Sequence, residues 1–430
     1  MSNRLQVGID IHQDNNDVAI LAPNGDVLVK HKAFTNNLPG YQDLCRFLAK
    51  AAQEHPCDGL DIAGEATGLL WFHPFYQLAH EESLTPYDPE LYLFNPRLVH
   101  AFRKSLPEEE KNDLNDPQLV AERLRFRHPE HPLRFYDDFL PLQRLTRYRY
   151  HLVHDLVRQK SYFLTMLYLK ASEFQRLEPF SDLFGATARH ITTAYQTLDH
   201  FATMSLDDLA DLLNHLGRSH FPDPKDNARK LQQVARDSYP LLPALVAPMH
   251  TILNQLLEHI RFLEKLLQAL DPQIEQEFLK LPQARYLCSV KGYGKVYPAG
   301  IVAEIQDTKR FLEGNRYDKK HKVYRPKDAF DAQASVAKWC GLWWPQKSSG
   351  DFASEDQRLA GTGNHYLRYY FIEAANCLRI HNPEYAAYYA RKYKESLKHK
   401  HMRSLVLTAR KLIRLTFVLL HEEQEYHWAP

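Results

Sequence analysis

Three β-rich runs follow one another at the start of the chain: Leu5–Ile11, Val18–Ala22 and Val27–Phe34. Asn24-Gly25 between the last two is a strong signal for a tight hairpin turn. Connections this short join only antiparallel strands, so the runs are expected to form one meander. Inside the first run, Asp10 stands between Ile9 and Ile11. A buried carboxylate without a partner costs several kcal/mol, so something must compensate Asp10.

The pattern after this meander alternates. Tyr41–Ala52 reads as a helix, Leu60–Ala63 as a strand, and a helical stretch begins near Leu69. A further strand at Leu91–Phe94 precedes a helix near Leu98–Lys104. The order β-β-β-α-β-α-β-α is that of a ribonuclease-H-like α/β core, with an antiparallel meander followed by parallel strands. From about Leu142 the periodicity becomes helical and long. "RLTRYRYHLVHDLVRQKSYFLTMLYLKASEF" and "MHTILNQLLEHIRFLEKLLQALDPQIEQEFLKL" repeat apolar residues at three- and four-residue steps. The polar stretch "GRSHFPDPKDNARK" separates them, as expected of an antiparallel hairpin, a dimerising coiled coil or ordinary bundle packing. The expected fold class is thus α/β plus all-α. Residues 1–140 would form the α/β core, 141–280 a helical spacer and 281–430 a mainly helical C-terminal domain.

The composition is that of a globular protein, 44% hydrophobic and 25% charged, with a formal net charge of +1. That balance does not announce a nucleic-acid binder, so any basic surface must be local. The five cysteines never form a C-x-x-C pair, which argues against a zinc ribbon and for a reduced, cytoplasmic setting. No apolar stretch reaches the ~18 residues of a membrane span.

Asp10 has three candidate companions. Glu65 follows the strand Leu60–Ala63 directly, in "DIAGEATG". Asp113 and Asp116 lie in "EKNDLNDPQLVAERLR", where Pro117 reads as the first turn of a helix. Their i, i+3 spacing puts both on one side of that turn. Asp116 alone would serve as a helix cap, and Asp113 alone as a solvated loop acid. Converging carboxylates repel and shift each other's pKa unless a cation sits among them. A pair of Mg²⁺ ions ~3.5–4 Å apart is the usual solution for phosphodiester chemistry.

The motifs "GIDIHQ", "GEATG", "FNPRLVHAFRKS", "KNDLND", "SVKGYG", "CGLWWPQKSSG" and "GTGNHYLR" occur in this order. The ordered set resembles the insertion-sequence 110 family of transposases, bridge-RNA-guided DNA recombinases. The resemblance covers roughly residues 5–160 and 280–415. It implies a RuvC-like domain whose D-E-D-D set is Asp10, Glu65, Asp113 and Asp116, holding Mg²⁺, and a C-terminal transposase domain that supplies a nucleophilic serine. That serine would be Ser349, with Ser348 adjacent. The resemblance implies a covalent link from its hydroxyl to the 5′ end of a DNA strand, donor and target DNA and a structured guide RNA as partners, and a dimer or tetramer. The family usually has Thr and Ala where Asn112 and Pro117 stand. "EGNRYDKKHKVYRPKDAFDAQAS" is longer than the pattern leads one to expect.

Basic residues gather locally. From Ala386 to Arg414 nine basic residues face one acid, and tyrosines are interleaved. Arg391, Lys392, Lys398, Lys400, Arg403, Arg410 and Lys411 of that run are expected to bind nucleic acid. So are Lys319, Lys320, Lys322 and Arg325 of a second run, Arg144, Arg147 and Arg149 of a third, and Arg368. Basic side chains release counterions from phosphates, and aromatics stack on unpaired bases. Two other readings compete. An actin-like ATPase would share the opening strands but needs a second Gly-rich phosphate loop, which is not found. A RuvC-like junction nuclease would lack serine chemistry.

Overall fold

The computed structural model describes residues 3–105, 116–126, 131–318, 321–345, 348–349, 352–353 and 359–427. The chain divides into two compact units, Met1–Asp137 with Leu312–Asp331, and Asp138–Phe311 with Ala332–Pro430. The segment 312–331, expected to belong with the C-terminal domain, therefore packs with the N-terminal core.

The first unit is built on five strands: β1 (Arg4–Ile11), β2 (Asn15–Leu21), β3 (Val27–Thr35), β4 (Gly59–Glu65) and β5 (Pro89–Phe94). Their order is β3-β2-β1-β4-β5, with β1–β2 and β2–β3 antiparallel and β1–β4 and β4–β5 parallel. The antiparallel meander followed by parallel strands is the arrangement expected from the sequence. Asn24-Gly25 does make the β2–β3 turn, where the Gly25 amide donates to the Ala22 carbonyl. One face of the sheet carries Leu5, Val7, Ile9, Leu60 and Ile62. They pack on α1 (Leu38–Glu54), whose stripe Leu44, Cys45, Leu48 and Ala52 is buried, and on Phe75 and Leu78 of α2 (Phe72–Ala79). Asn37 caps α1 by accepting from the Gly40 amide at 2.9 Å. The helix expected near Leu69 starts at Phe72 instead, after a turn over residues 68–71.

The other face takes α3 (Pro96–Arg103) and α4 (Asp116–Phe126), which bury Val99, Leu119, Val120 and Leu124 against Ala63, Tyr92 and Phe94. A two-stranded ribbon, β6 (Asn315–Asp318) and β7 (Val323–Pro326), completes this unit.

The second unit is helical. Two long helices, α5 (Leu140–Lys170) and α11 (Pro243–Leu279), pack against each other. Between them in sequence come α6 (Phe174–Leu177), α7 (Ala186–Ala194), α8 (Asp199–Thr203), α9 (Leu206–Leu216) and α10 (Pro224–Asp237). These share one core with the long pair, through Phe163, Phe174, Ile191, Phe201, Leu213, Leu231 and Leu257. Lys170 ends α5 with its ammonium buried on the carbonyls of Thr192 (2.7 Å) and Tyr195. The rest comprises α12 (Gln283–Cys288), α13 (Val296–Ile305), α14 (Ala329–Trp339, whose first residues belong to the other unit), α15 (His365–His381), α16 (Pro383–Glu395) and α17 (Lys400–His421). A small pairing joins β8 (Ser348–Ser349) to β9 (Phe352–Ala353). All five cysteines are free. Among the described residues no helix is long and apolar enough to cross a membrane.

Candidate active site

The register of the sheet brings two acids together. Gly8 pairs with Ala63 and Ile9 with Gly64 across the parallel β1–β4 ladder, so Asp10 and Glu65 follow at the same level. Side chains alternate along strands, which puts both on the face covered by α4. Gly8 makes that cover possible, since a Cβ there would lie 1.9 Å from the Pro117 carbonyl oxygen. The helix thus sits directly on β1, and its first turn delivers Asp116 to the same corner. Asp113 lies outside the described residues.

Electrostatics tie the three acids together. Burial pushes the Asp10 carboxyl above its usual range; His12 opposes this, while Asp116 and Asp17 add to it. Glu65 is raised by burial and then by Asp10 and Asp116. Neighbouring side chains partly offset this charge. His12 Nε2 lies 3.1 Å from Asp10 Oδ2 and 3.8 Å from Asp17 Oδ2, and Arg103 donates to Asp116 Oδ1 at 2.6 Å. Asp17, which pairs with Asp10 across β1–β2, also meets His31 at 3.0 Å.

His12, Asp17, His31 and Arg103 were not singled out in the sequence. For His12 the signal was its two-residue spacing from Asp10 along a strand. Among the described residues no three acidic, histidine or cysteine groups are gathered closely enough to ligate one ion as they stand. The donor set itself, carboxylates of which Asp10 and Glu65 are held above their normal pKa by burial first and acidic neighbours second, fits a hard divalent cation.

In the second unit, Ser348 and Ser349 form β8, where Ser349 pairs with Phe352. Their side chains lie outside the described residues. The segment that carries them is closed at its stem by Arg368 of α15. Its guanidinium donates to the carbonyls of Cys340 (2.9 Å), Ala360 (3.2 Å) and Thr362 (2.9 Å). Two backbone bonds reinforce the closure, Ala360 N to Trp343 O (2.9 Å) and Asn364 N to Trp339 O (2.7 Å). Gly363, at φ +121°, fills a place where a Cβ would strike the Gly341 nitrogen and the Trp339 oxygen, each at 2.7 Å. Beneath the stem, Glu304 is 1% exposed. It accepts from Arg147 at 2.7 and 2.9 Å and from Asn364, the cap of α15, at 2.7 Å.

Comparison with known proteins bears on both parts. A family model described as "Transposase" matches residues 7–169, and one described as "Transposase IS116/IS110/IS902 family" matches residues 323–390. The chain belongs to the IS110 family of transposases. It is 24% identical over 333 residues to the 42 kDa protein of insertion element IS900 from Mycobacterium paratuberculosis, covering 77% of this chain and 76% of that protein. It is 26% identical over 184 residues to the pilin gene-inverting protein of Moraxella bovis, covering 42% of this chain and 53% of that one. The Moraxella lacunata protein of the same name matches to the same extent. This chain's match thus spans about half the length of the pilin gene-inverting proteins. As an IS110-family transposase the chain is a DNA recombinase enzyme. Transposase domains of this DEDD type use divalent metal ions.

Within this transposase the expected basic residues divide into two groups. Arg147 and Arg149 are engaged by Glu304 and by Asp271 (2.6 Å), and Arg368 is spent on the stem, so these three are framework. Arg144 is half-buried close to Arg147 and Glu304. Arg325 meets Asp331 at 2.7 Å, Lys392 meets Glu395 at 2.6 Å, with Arg391 more distant from it at 3.9 Å, and Lys411 meets Glu384 at 2.6 Å. Arg410 lies over the Trp344 ring. Lys398, Lys400 and Arg403 at the α16–α17 turn are exposed, as is Lys322. Lys319 and Lys320 lie outside the described residues.

Proposed function

We propose that this transposase exchanges DNA strands through a covalent phosphoserine intermediate, with Asp10, Glu65, Asp113 and Asp116 as the metal-holding acids and Ser349 as the nucleophile. The observation that carries the reading is the placement of Asp10 and Glu65 side by side on one sheet face beneath the first turn of α4. Repelling carboxylates in that arrangement call for a cation. Bound Mg²⁺, two ions in this reading, would polarise the phosphate and stabilise the departing oxygen.

The chain's own part is to place the hydroxyl. The Ser349 oxygen attacks phosphorus, its proton leaves to solvent or a base, and the bond from phosphorus to the 3′ oxygen breaks. A 3′ hydroxyl and a 5′ phosphoserine result. The reverse reaction with a new 3′ hydroxyl joins the exchanged strand and frees the serine. The name of the pilin gene-inverting proteins agrees with such an exchange, since inversion is the same cutting and rejoining on one molecule.

Partner choice follows from the surfaces. The exposed basic turn at Lys398, Lys400 and Arg403 suits donor and target DNA and a structured guide RNA. Tyr148, Val157, Tyr162 and Tyr168 of α5 and Phe262 of α11 are large and exposed, which supports self-association along the long helices.

Denaturing gels of protein mixed with labelled DNA and Mg²⁺ test the chemistry. A covalent adduct is expected from the unaltered chain and none from Ser349→Ala or Asp10→Ala. An adduct that persists in Ser349→Ala refutes the assignment, as does cleavage without any adduct, the behaviour of a junction nuclease. Sequencing RNA that co-purifies with the protein tests the guide.

A further inference from the structure

The β6–β7 ribbon has two unlike faces. Its register pairs Arg316 with Arg325 and, one step further out, Tyr317 with Tyr324. Adjacent pairs point to opposite sides. Both arginines turn to Asp331 in the first turn of α14, whose carboxylate is 2% exposed. Asp328 secures that turn by accepting from the Asp331 amide at 2.9 Å. The tyrosines take the other side, 45% and 74% exposed, with ring centroids 5.1 Å apart and planes inclined at 58°. A ribbon of two short strands is marginal in water, and an aromatic pair laid open on it gains nothing from burial in this unit.

Lysines flank the pair, and Asp318 beside Tyr317 is engaged by His321 at 2.6 Å. Lys322 stands at the turn with φ +56°, and Lys327 approaches Gly314 at the foot. Neither has an acidic partner among the described residues. A surface meant for phosphates alone would leave its arginines outward. This one spends them on its own anchorage and turns ring faces outward instead. Ring faces recognise ring faces, and a duplex hides those of its bases. The ribbon shares its compact unit with the carboxylates, which favours the DNA being cut over a guide RNA as its partner.

We propose that Tyr324, supported by Tyr317, is a stacking platform for an unpaired base of a DNA strand opened at the catalytic unit. This deepens, and rests on, the strand-exchange reading above. The rings are too close to sandwich a base, which would need roughly 7 Å at ~3.4 Å per stacked step. The base therefore stacks on the outer face of Tyr324.

The test is equilibrium binding of the full chain to a labelled single-stranded DNA oligonucleotide, to its duplex and to RNA of the same sequence. Tyr324→Val keeps strand propensity and removes the ring; Tyr324→Phe keeps the ring. Tyr324→Val should bind single-stranded DNA roughly tenfold or more weakly, with the duplex unaffected and Tyr324→Phe like the parent. Unchanged binding in Tyr324→Val overturns the proposal. So does an equal loss on duplex, a loss confined to RNA, or a parent chain that ignores the oligonucleotide. Adduct formation by the parent chain is scored alongside. An adduct with unchanged Tyr324→Val binding refutes the platform alone, whereas oligonucleotide binding that depends on Tyr324 without any adduct refutes the recombinase chemistry alone.

Discussion

At the scale of single residues, the acids of the sheet oppose the fold that holds them. Burial and neighbouring charge keep the Asp10 and Glu65 carboxyls above their ordinary range. The unfolded chain releases those protons at lower pH, so between the two values the folded state binds more protons. Stability of the metal-free protein therefore falls as pH rises through the folded pKa of each group, and the full penalty is present above it. Two outcomes follow. Asp10→Asn should unfold at a higher temperature than the parent at neutral pH without metal, and Mg²⁺ should raise the melting temperature of the parent more than that of the variant. A calorimetric series with and without Mg²⁺ decides this, and equal Mg²⁺ shifts in both would remove Asp10 from the metal site. Gly8 is as consequential and entirely apolar. Its missing Cβ is what lets α4 approach β1 and carry Asp116 to the site.

At the scale of elements, the stem of the segment that carries Ser349 is tied by Arg368 together with two backbone bonds. Arg368 serves three carbonyls on both limbs of the segment. Its loss leaves acceptors unsatisfied at about 1–3 kcal/mol each where they are buried, and it frees the limbs to shift. A misplacement of about 1 Å can cost ~10²-fold in rate. Arg368→Ala should therefore form the covalent adduct ~10²-fold more slowly while still binding DNA in gel-shift assays. Arg368→Lys, which cannot span both limbs with a planar fork, should recover only part of the rate. A matching loss of DNA binding would return Arg368 to the phosphate-contacting group.

The same contrast shows what was legible in advance. The meander, its turn and Asp10 could be read because strand alternation is local and a lone acid breaks it visibly. Arg147, Arg149 and Arg368 could not be sorted from phosphate-binding arginines. Arg147 and Arg149 find their partners at Glu304 and Asp271, more than a hundred residues away, and charge density along a sequence says nothing about that. The β6–β7 ribbon read only as a basic run for nucleic acid, without its two unlike faces, because its order comes from cross-strand pairing and from Asp331.

At the scale of the whole molecule, the acids and the serine belong to different compact units. If copies associate through the long helices, one copy's serine can serve another's acids. Inactive Asp10→Ala and Ser349→Ala chains, mixed and allowed to exchange, should then recover adduct formation. Mixtures that stay inactive, though shown by cross-linking to contain both chains, would confine each site to one copy.

The path of the chain also sets a timetable. The first unit is complete only when Leu312–Asp331 joins Met1–Asp137, and 174 residues (311 minus 137) separate the two pieces. On a ribosome adding ~5–20 residues per second, that interval lasts roughly 10–35 s. Throughout it the five-stranded sheet is available to fold while its tyrosine ribbon has not yet been synthesised. A nascent chain thus holds its carboxylates before it holds the aromatic pair, and a message truncated between codons 138 and 311 yields a sheet that never receives one.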